Sequence, residues 1–93
     1  MTLNPRLHTT KELLDDAFAD ALDLQGMLGN SSITDMTNQL SAIHETFVII
    51  SNRNKRYSNL WKLSAGILYR WNIGVGNDER IADVMTLVNR LDK

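Results

Sequence analysis

Cysteine is absent from this chain of 93 residues, and with it go disulfides, thiolate metal ligands and a cysteine nucleophile. Histidine occurs only at His8 and His44, too few without cysteine for a structural metal site. Proline occurs once, at Pro5, so little interrupts helix formation along the rest of the chain. The longest purely apolar run, Phe47–Ile50, is far shorter than the roughly 20 residues that a membrane-spanning helix needs. The opening segment, residues 1–8, has no apolar stretch of signal-peptide length. These absences lead us to expect a soluble, cytoplasmic protein with no membrane, metal or cofactor.

What is present is ordinary in amount and unusual in arrangement. A hydrophobic content of 43% argues for a folded chain, and the length allows a single domain, residues 1–93, with residues 1–8 as a short leader. The net charge of −1 hides a division. Residues 1–50 hold two cations, Arg6 and Lys11, and seven carboxylates. Residues 51–93 hold eight cations and four carboxylates, and none of the latter lies between Arg53 and Arg70. Tyr57, Trp61 and Tyr69 interleave with the cations of that stretch. Such asymmetry informs about charged partners and says nothing of fold.

Hydrophobic spacing predicts an all-α fold, a small antiparallel bundle of four amphipathic helices over roughly 10–28, 33–51, 55–73 and 78–92. Thr9 and Glu12 fit a capping box at the first start, and Gly29 a left-handed stop. Leu14, Phe18, Ala21, Gln25 and Leu28 form the first apolar stripe, widened by Leu13, Ala17 and Leu24. Ser31 or Ser32 caps the second helix, with its stripe at Ile33, Met36, Leu40, Ile43, Phe47 and Ile50. The third stripe contains Tyr57, Leu60, Trp61, Ser64, Ile67, Leu68 and Trp71, and the fourth Ile81, Val84, Met85, Val88 and Leu91. The second stripe runs in register into the third, so one long helix is an alternative. Ser51-Asn52-Arg53-Asn54 is poor helix material in series and favours a break.

Two faces stand out as candidate sites. On a helix starting at Lys55, the cations Lys55, Arg56, Lys62 and Arg70 share a side with Asn59, Gly66 and Tyr69, opposite the aromatic and aliphatic residues. From Lys55 to Arg70 this rail would extend about 22 Å, enough to follow several phosphates. Gly66 costs on the order of 1 kcal/mol in mid-helix, and close approach of another backbone would explain it. A solvated cationic surface has the same composition, and an acidic protein would suit it as well as nucleic acid. The first helix carries Glu12, Asp15, Asp16, Asp20 and Asp23 away from its apolar stripe. Like charges four apart destabilise a helix locally, which suits either a solubilising face or a protein-docking one. Opposite faces on one chain also permit head-to-tail association.

No catalytic constellation assembles. His44-Glu45 lies on a helix, but the zinc-protease pattern needs a histidine where Val48 stands. His44 falls within an apolar arc and reads as a core histidine bonded to a backbone carbonyl, while His8 reads as exposed. The glycines of Gly74-Val75-Gly76 lack the strand and lysine of a phosphate loop and read as a turn. Trp61 and Trp71 read as core.

In size and character the chain resembles the small all-helical subunits of nucleoprotein complexes, such as those of CRISPR effector assemblies, and equally short phage-encoded inhibitors of host machines. The expected function is a non-catalytic subunit contacting a nucleic-acid backbone through Arg53, Lys55, Arg56, Asn59, Lys62, Tyr69 and Arg70, with other protein subunits as neighbours. The alternative is a protein-binding regulator or inhibitor, antitoxin-like, docking through Glu12, Asp16, Asp20 and Asp23 or through the aromatic face.

Overall fold

A computed structural model describes residues 8–92; apart from His8, the expected leader lies outside the described residues. The chain forms α1 (Thr10–Met27), α2 (Ile33–Arg53), a single 3-10 turn (Lys55–Tyr57), α3 (Ser58–Ile73) and α4 (Asn77–Leu91). No strand occurs among the described residues.

Local chemistry sets the helix ends. The Glu12 N–H donates to Thr9 Oγ1 at 3.1 Å and the Thr9 N–H returns a bond to Glu12 Oε1 at 3.0 Å, closing the capping box. The Thr9 N–H bond to the carboxylate holds the Glu12 carboxyl below its ordinary value, with the Thr9 side chain and His8 adding to the effect. Ser32 caps α2 by accepting the Asp35 N–H at 3.0 Å. Gly29 (φ 77°) and Gly74 (φ 93°) follow the ends of α1 and α3 with the positive φ that glycine tolerates.

The expected break between the second and third helices is present, displaced towards the C-terminus. Ser51, Asn52 and Arg53 complete α2, and the chain leaves the helix at Asn54 (φ −148°, ψ 111°). Asn54 Oδ1 then accepts the Arg56 N–H at 3.0 Å, so the side chain that ends one helix starts the next turn. The Ser51 hydroxyl donates to the Tyr57 carbonyl at 3.0 Å and ties the two arms together.

Contacts between helices give an up-down-up-down order. Gln39 donates to the Asp20 carbonyl across α1–α2, and His44 meets Ser64 across α2–α3. Arg70 reaches Asp83 across α3–α4, and Gln25 contacts Met85 across α1–α4. α2 packs against both α1 and α3, whereas α4 rests chiefly on α1 and only lightly on α3. At 1.5 Å per residue α2 extends about 31 Å, most of the 36 Å long axis of the molecule.

The core contains Leu13, Ala17, Ala21 and Leu24 of α1, Met36, Leu40, Ile43, Phe47 and Ile50 of α2, Leu60, Ile67 and Trp71 of α3, and Val84, Leu87 and Val88 of α4. Three sequence expectations are corrected here. Trp61 is 39% exposed where Trp71 is 5% exposed, because the buried arc runs Leu60, Ser64, Ile67, Trp71 and Trp61 lies about 100° away from Leu60. In α4 the deepest positions are Val84, Leu87 and Val88, while Ile81 and Met85 remain exposed. His44 meets the buried Ser64 hydroxyl at 2.6 Å, a side-chain partner where a backbone carbonyl was expected. Ser64 Oγ in turn lies 3.2 Å from the Leu60 carbonyl.

Candidate functional site

The antiparallel order gathers the start of α1, the end of α2, the start of α3 and the end of α4 at one end of the bundle. The α2–α3 corner there presents Arg53, Lys55, Arg56 and Lys62, all exposed. None of the four is within ion-pair distance of a carboxylate among the described residues. Arg53 is anchored by its guanidinium to the His8 carbonyl. The Arg56 guanidinium lies 5.6 Å from the centre of the Tyr57 ring, a cation–π contact that holds it over the ring face.

The straight rail expected from Lys55 to Arg70 does not form. Lys55 and Arg56 belong to the 3-10 turn, so only Lys62 and Arg70 of the four lie on α3, separated by about 12 Å along its axis. Arg70 is drawn to α4, where its guanidinium donates to Asp83 Oδ1 at 2.6 Å. Trp71 Nε1 donates to the other oxygen of the same carboxylate at 3.0 Å. Arg70 therefore shares a partner with a tryptophan it was expected to face away from. Tyr69 is 67% exposed and Asn59 is exposed, as a contact face requires. Gly66 has Arg70 Nη1 near the position of a Cβ, at 3.8 Å, and no backbone of another element among the described residues approaches it closely.

Two cations join the corner that the sequence reading did not place there. Lys11 from the first turn of α1 and Arg90 from the last turn of α4 line a cleft of 530 Å³ together with Arg56. The cleft exists because α4 packs on α1 and leaves the α3 side partly open. Its floor is the half-buried Leu14, Phe18 and Tyr57 with the buried Leu60. Asp15 and Asp92 stand on the rim, Asp15 bound to Lys11 at 3.0 Å. Short connections imply alternating helix directions, so the sequence contained a signal for this convergence: the first turn of α1 and the last of α4 must meet the α2–α3 corner.

The acidic residues of α1 stay largely unmatched. Glu12, Asp15 and Asp23 are exposed and Asp16 and Asp20 half-buried. Burial raises the Asp20 carboxyl above its ordinary value, and the charges of Asp23 and Asp16 add to the rise. Among the described residues no three carboxylates or histidines come together as a metal-binding group. At the opposite end, Arg80 is only 8% exposed and was not expected inside. It latches the α3–α4 turn by donating to the Val75 carbonyl and to Asn77 Oδ1.

Fold and site together define a four-helix bundle with a cationic corner and a cleft beside it. No family model, curated protein or solved structure matches the chain. No helix among the described residues is long and apolar enough to cross a membrane.

Proposed function

We propose that this chain is a non-catalytic, cytoplasmic binding subunit whose α2–α3 corner contacts a nucleic-acid backbone, with neighbouring protein subunits held by its other faces. One observation carries the reading. Arg53, Lys55, Arg56 and Lys62 are exposed around the α2–α3 corner and have no carboxylate partner among the described residues, which leaves a cationic surface suited to an anion. Phosphates spaced along a strand supply that anion, and exposed Asn59 and Trp61 at the start of α3, with Tyr69 further along it, add hydrogen-bonding and stacking groups. Arg70 contributes less than the sequence reading assigned it, because Asp83 already occupies it.

The test is retention of the purified protein on nucleic acid at low salt, wild type against Lys55→Glu/Lys62→Glu. Binding lost in the double variant, with an unchanged circular dichroism spectrum, supports the reading. Wild-type protein that binds neither DNA nor RNA contradicts it.

A second reading is favoured by Asp16, Asp20 and Asp23, which have no cationic partner among the described residues and raise one another's energy. On that reading the chain is a regulator or inhibitor docking α1 onto a basic protein surface. Asp16→Lys/Asp23→Lys then abolishes capture of the partner from native lysate after nuclease treatment, and the lysine reversals leave capture intact.

A further inference from the structure

We infer that the cleft between α1, α4 and the start of α3 receives a splayed base of single-stranded nucleic acid, so that the corner prefers single strands to duplex. The inference rests on the nucleic-acid reading above and assigns a second element of the same contact.

Three properties of the cleft converge on a nucleotide. Its volume of 530 Å³ falls within the roughly 300–1,000 Å³ of small-ligand sites, ample for one base and its sugar. Its lining offers the rings of Phe18 and Tyr57, the latter carrying the Arg56 guanidinium over one face, and stacking on aromatic rings and arginine planes is the sequence-tolerant way to hold a single strand. Its rim mixes Lys11, Arg56 and Arg90 with Asp15 and Asp92. An anion alone has no use for the two carboxylates, which oppose it. A nucleotide uses both signs: its phosphates meet Arg56 and Arg90, and the amino or imino N–H groups of its base edge find a carboxylate acceptor in Asp92, which lies outside the Lys11–Asp15 pair.

The same geometry excludes a paired base. A cleft between helices is entered only by a base that has left its stack, and unstacking is least costly in single-stranded substrate. Arg56 links the two parts of the contact, because it belongs to the cationic corner and also covers Tyr57 at the mouth of the cleft. A strand with a phosphate on Arg56 therefore lies beside the opening.

The decisive comparison uses wild-type protein at low salt with four fluorescent probes: a short oligothymidine, the same backbone with abasic sites, a duplex of equal length, and poly-glutamate. Preference for oligothymidine over the abasic strand and the duplex by about tenfold supports the inference, since stacking accounts for affinity on that scale per base. Equal affinity for the normal and abasic strands overturns the cleft while leaving the corner reading intact. No binding to any probe overturns both, and binding of poly-glutamate alone reassigns the cations to an acidic protein. Phe18 packs against the core, so its replacement can disturb folding; Arg90→Gln, on the exposed rim, serves as the second variant. Arg90→Gln is expected to weaken oligothymidine binding several-fold and to leave the melting temperature unchanged.

Discussion

Arg70 and Trp71 are neighbours in sequence that donate to the two oxygens of one carboxylate, Asp83, at 2.6 and 3.0 Å. This shared acceptor is the principal polar tie between α3 and α4, which otherwise touch lightly. Its two halves differ in environment, since Arg70 is exposed and Trp71 buried.

The two donors should therefore contribute unequally to stability. Asp83→Ala strands the buried indole N–H and is expected to cost about 2 kcal/mol, whereas Arg70→Ala breaks an exposed pair and costs under about 1 kcal/mol. Denaturant unfolding of both variants checks this, with Trp71 fluorescence as the probe of the α3–α4 joint. Equal losses would mean that the indole bond adds nothing beyond the ion pair.

Two glycines separate local strain from free space. Gly74→Ala forces an L-residue to φ 93° and should destabilise by about 1 kcal/mol or more. Gly66→Ala places a methyl group in mid-helix at ordinary contact distance and should stabilise by about 0.5–1 kcal/mol. Thermal unfolding reads both. If Gly66→Ala stabilises the free protein yet weakens its binding to nucleic acid, the open space at this position belongs to the partner.

Asp20 gives the protein a signed dependence on pH. Burial and the charges of Asp23 and Asp16 raise its carboxyl above the ordinary value of 3.8, so the folded state holds that proton more tightly than the unfolded chain. Stability contributed by this group is therefore lost as pH rises through the raised value. Asp20→Asn is expected to raise the melting temperature at neutral pH, with the gain shrinking towards zero in acid below the ordinary carboxylate value. A gain that persists unchanged in acid would assign the effect to packing and not to charge.

Much of the fold was legible in the sequence because helix starts and stops have local causes. Thr9, Ser32, Gly29 and Gly74 act through their own backbones and immediate neighbours, and each functions as its residue type predicts. Depth within a wide apolar arc is a different matter. Trp61 against Trp71, and Met85 against Leu87, are decided by where the next helix lies, which no single period encodes. The candidate site divides the same way. The carboxylate-free stretch from Arg53 to Arg70 can be read directly from the chain, but a helical projection places Lys55, Arg56 and Arg70 on one rail only while the chain remains helical. The 3-10 turn of Lys55–Tyr57 changes that spacing, and Asp83, a carboxylate thirteen residues beyond Arg70, removes Arg70 from the free set. Lys11 and Arg90 reach the corner only through the tertiary order of the bundle.

On the nucleic-acid reading proposed above, the α2–α3 corner exchanges counterions for phosphates. The most direct test of that exchange is the affinity of wild-type protein for a single-stranded oligonucleotide measured across a salt series. Neutralising four phosphates with Arg53, Lys55, Arg56 and Lys62 predicts a slope of log affinity against log salt near about −3, and Lys55→Glu/Lys62→Glu should flatten it markedly. An affinity indifferent to salt, or a slope shared by the double variant, would contradict the account.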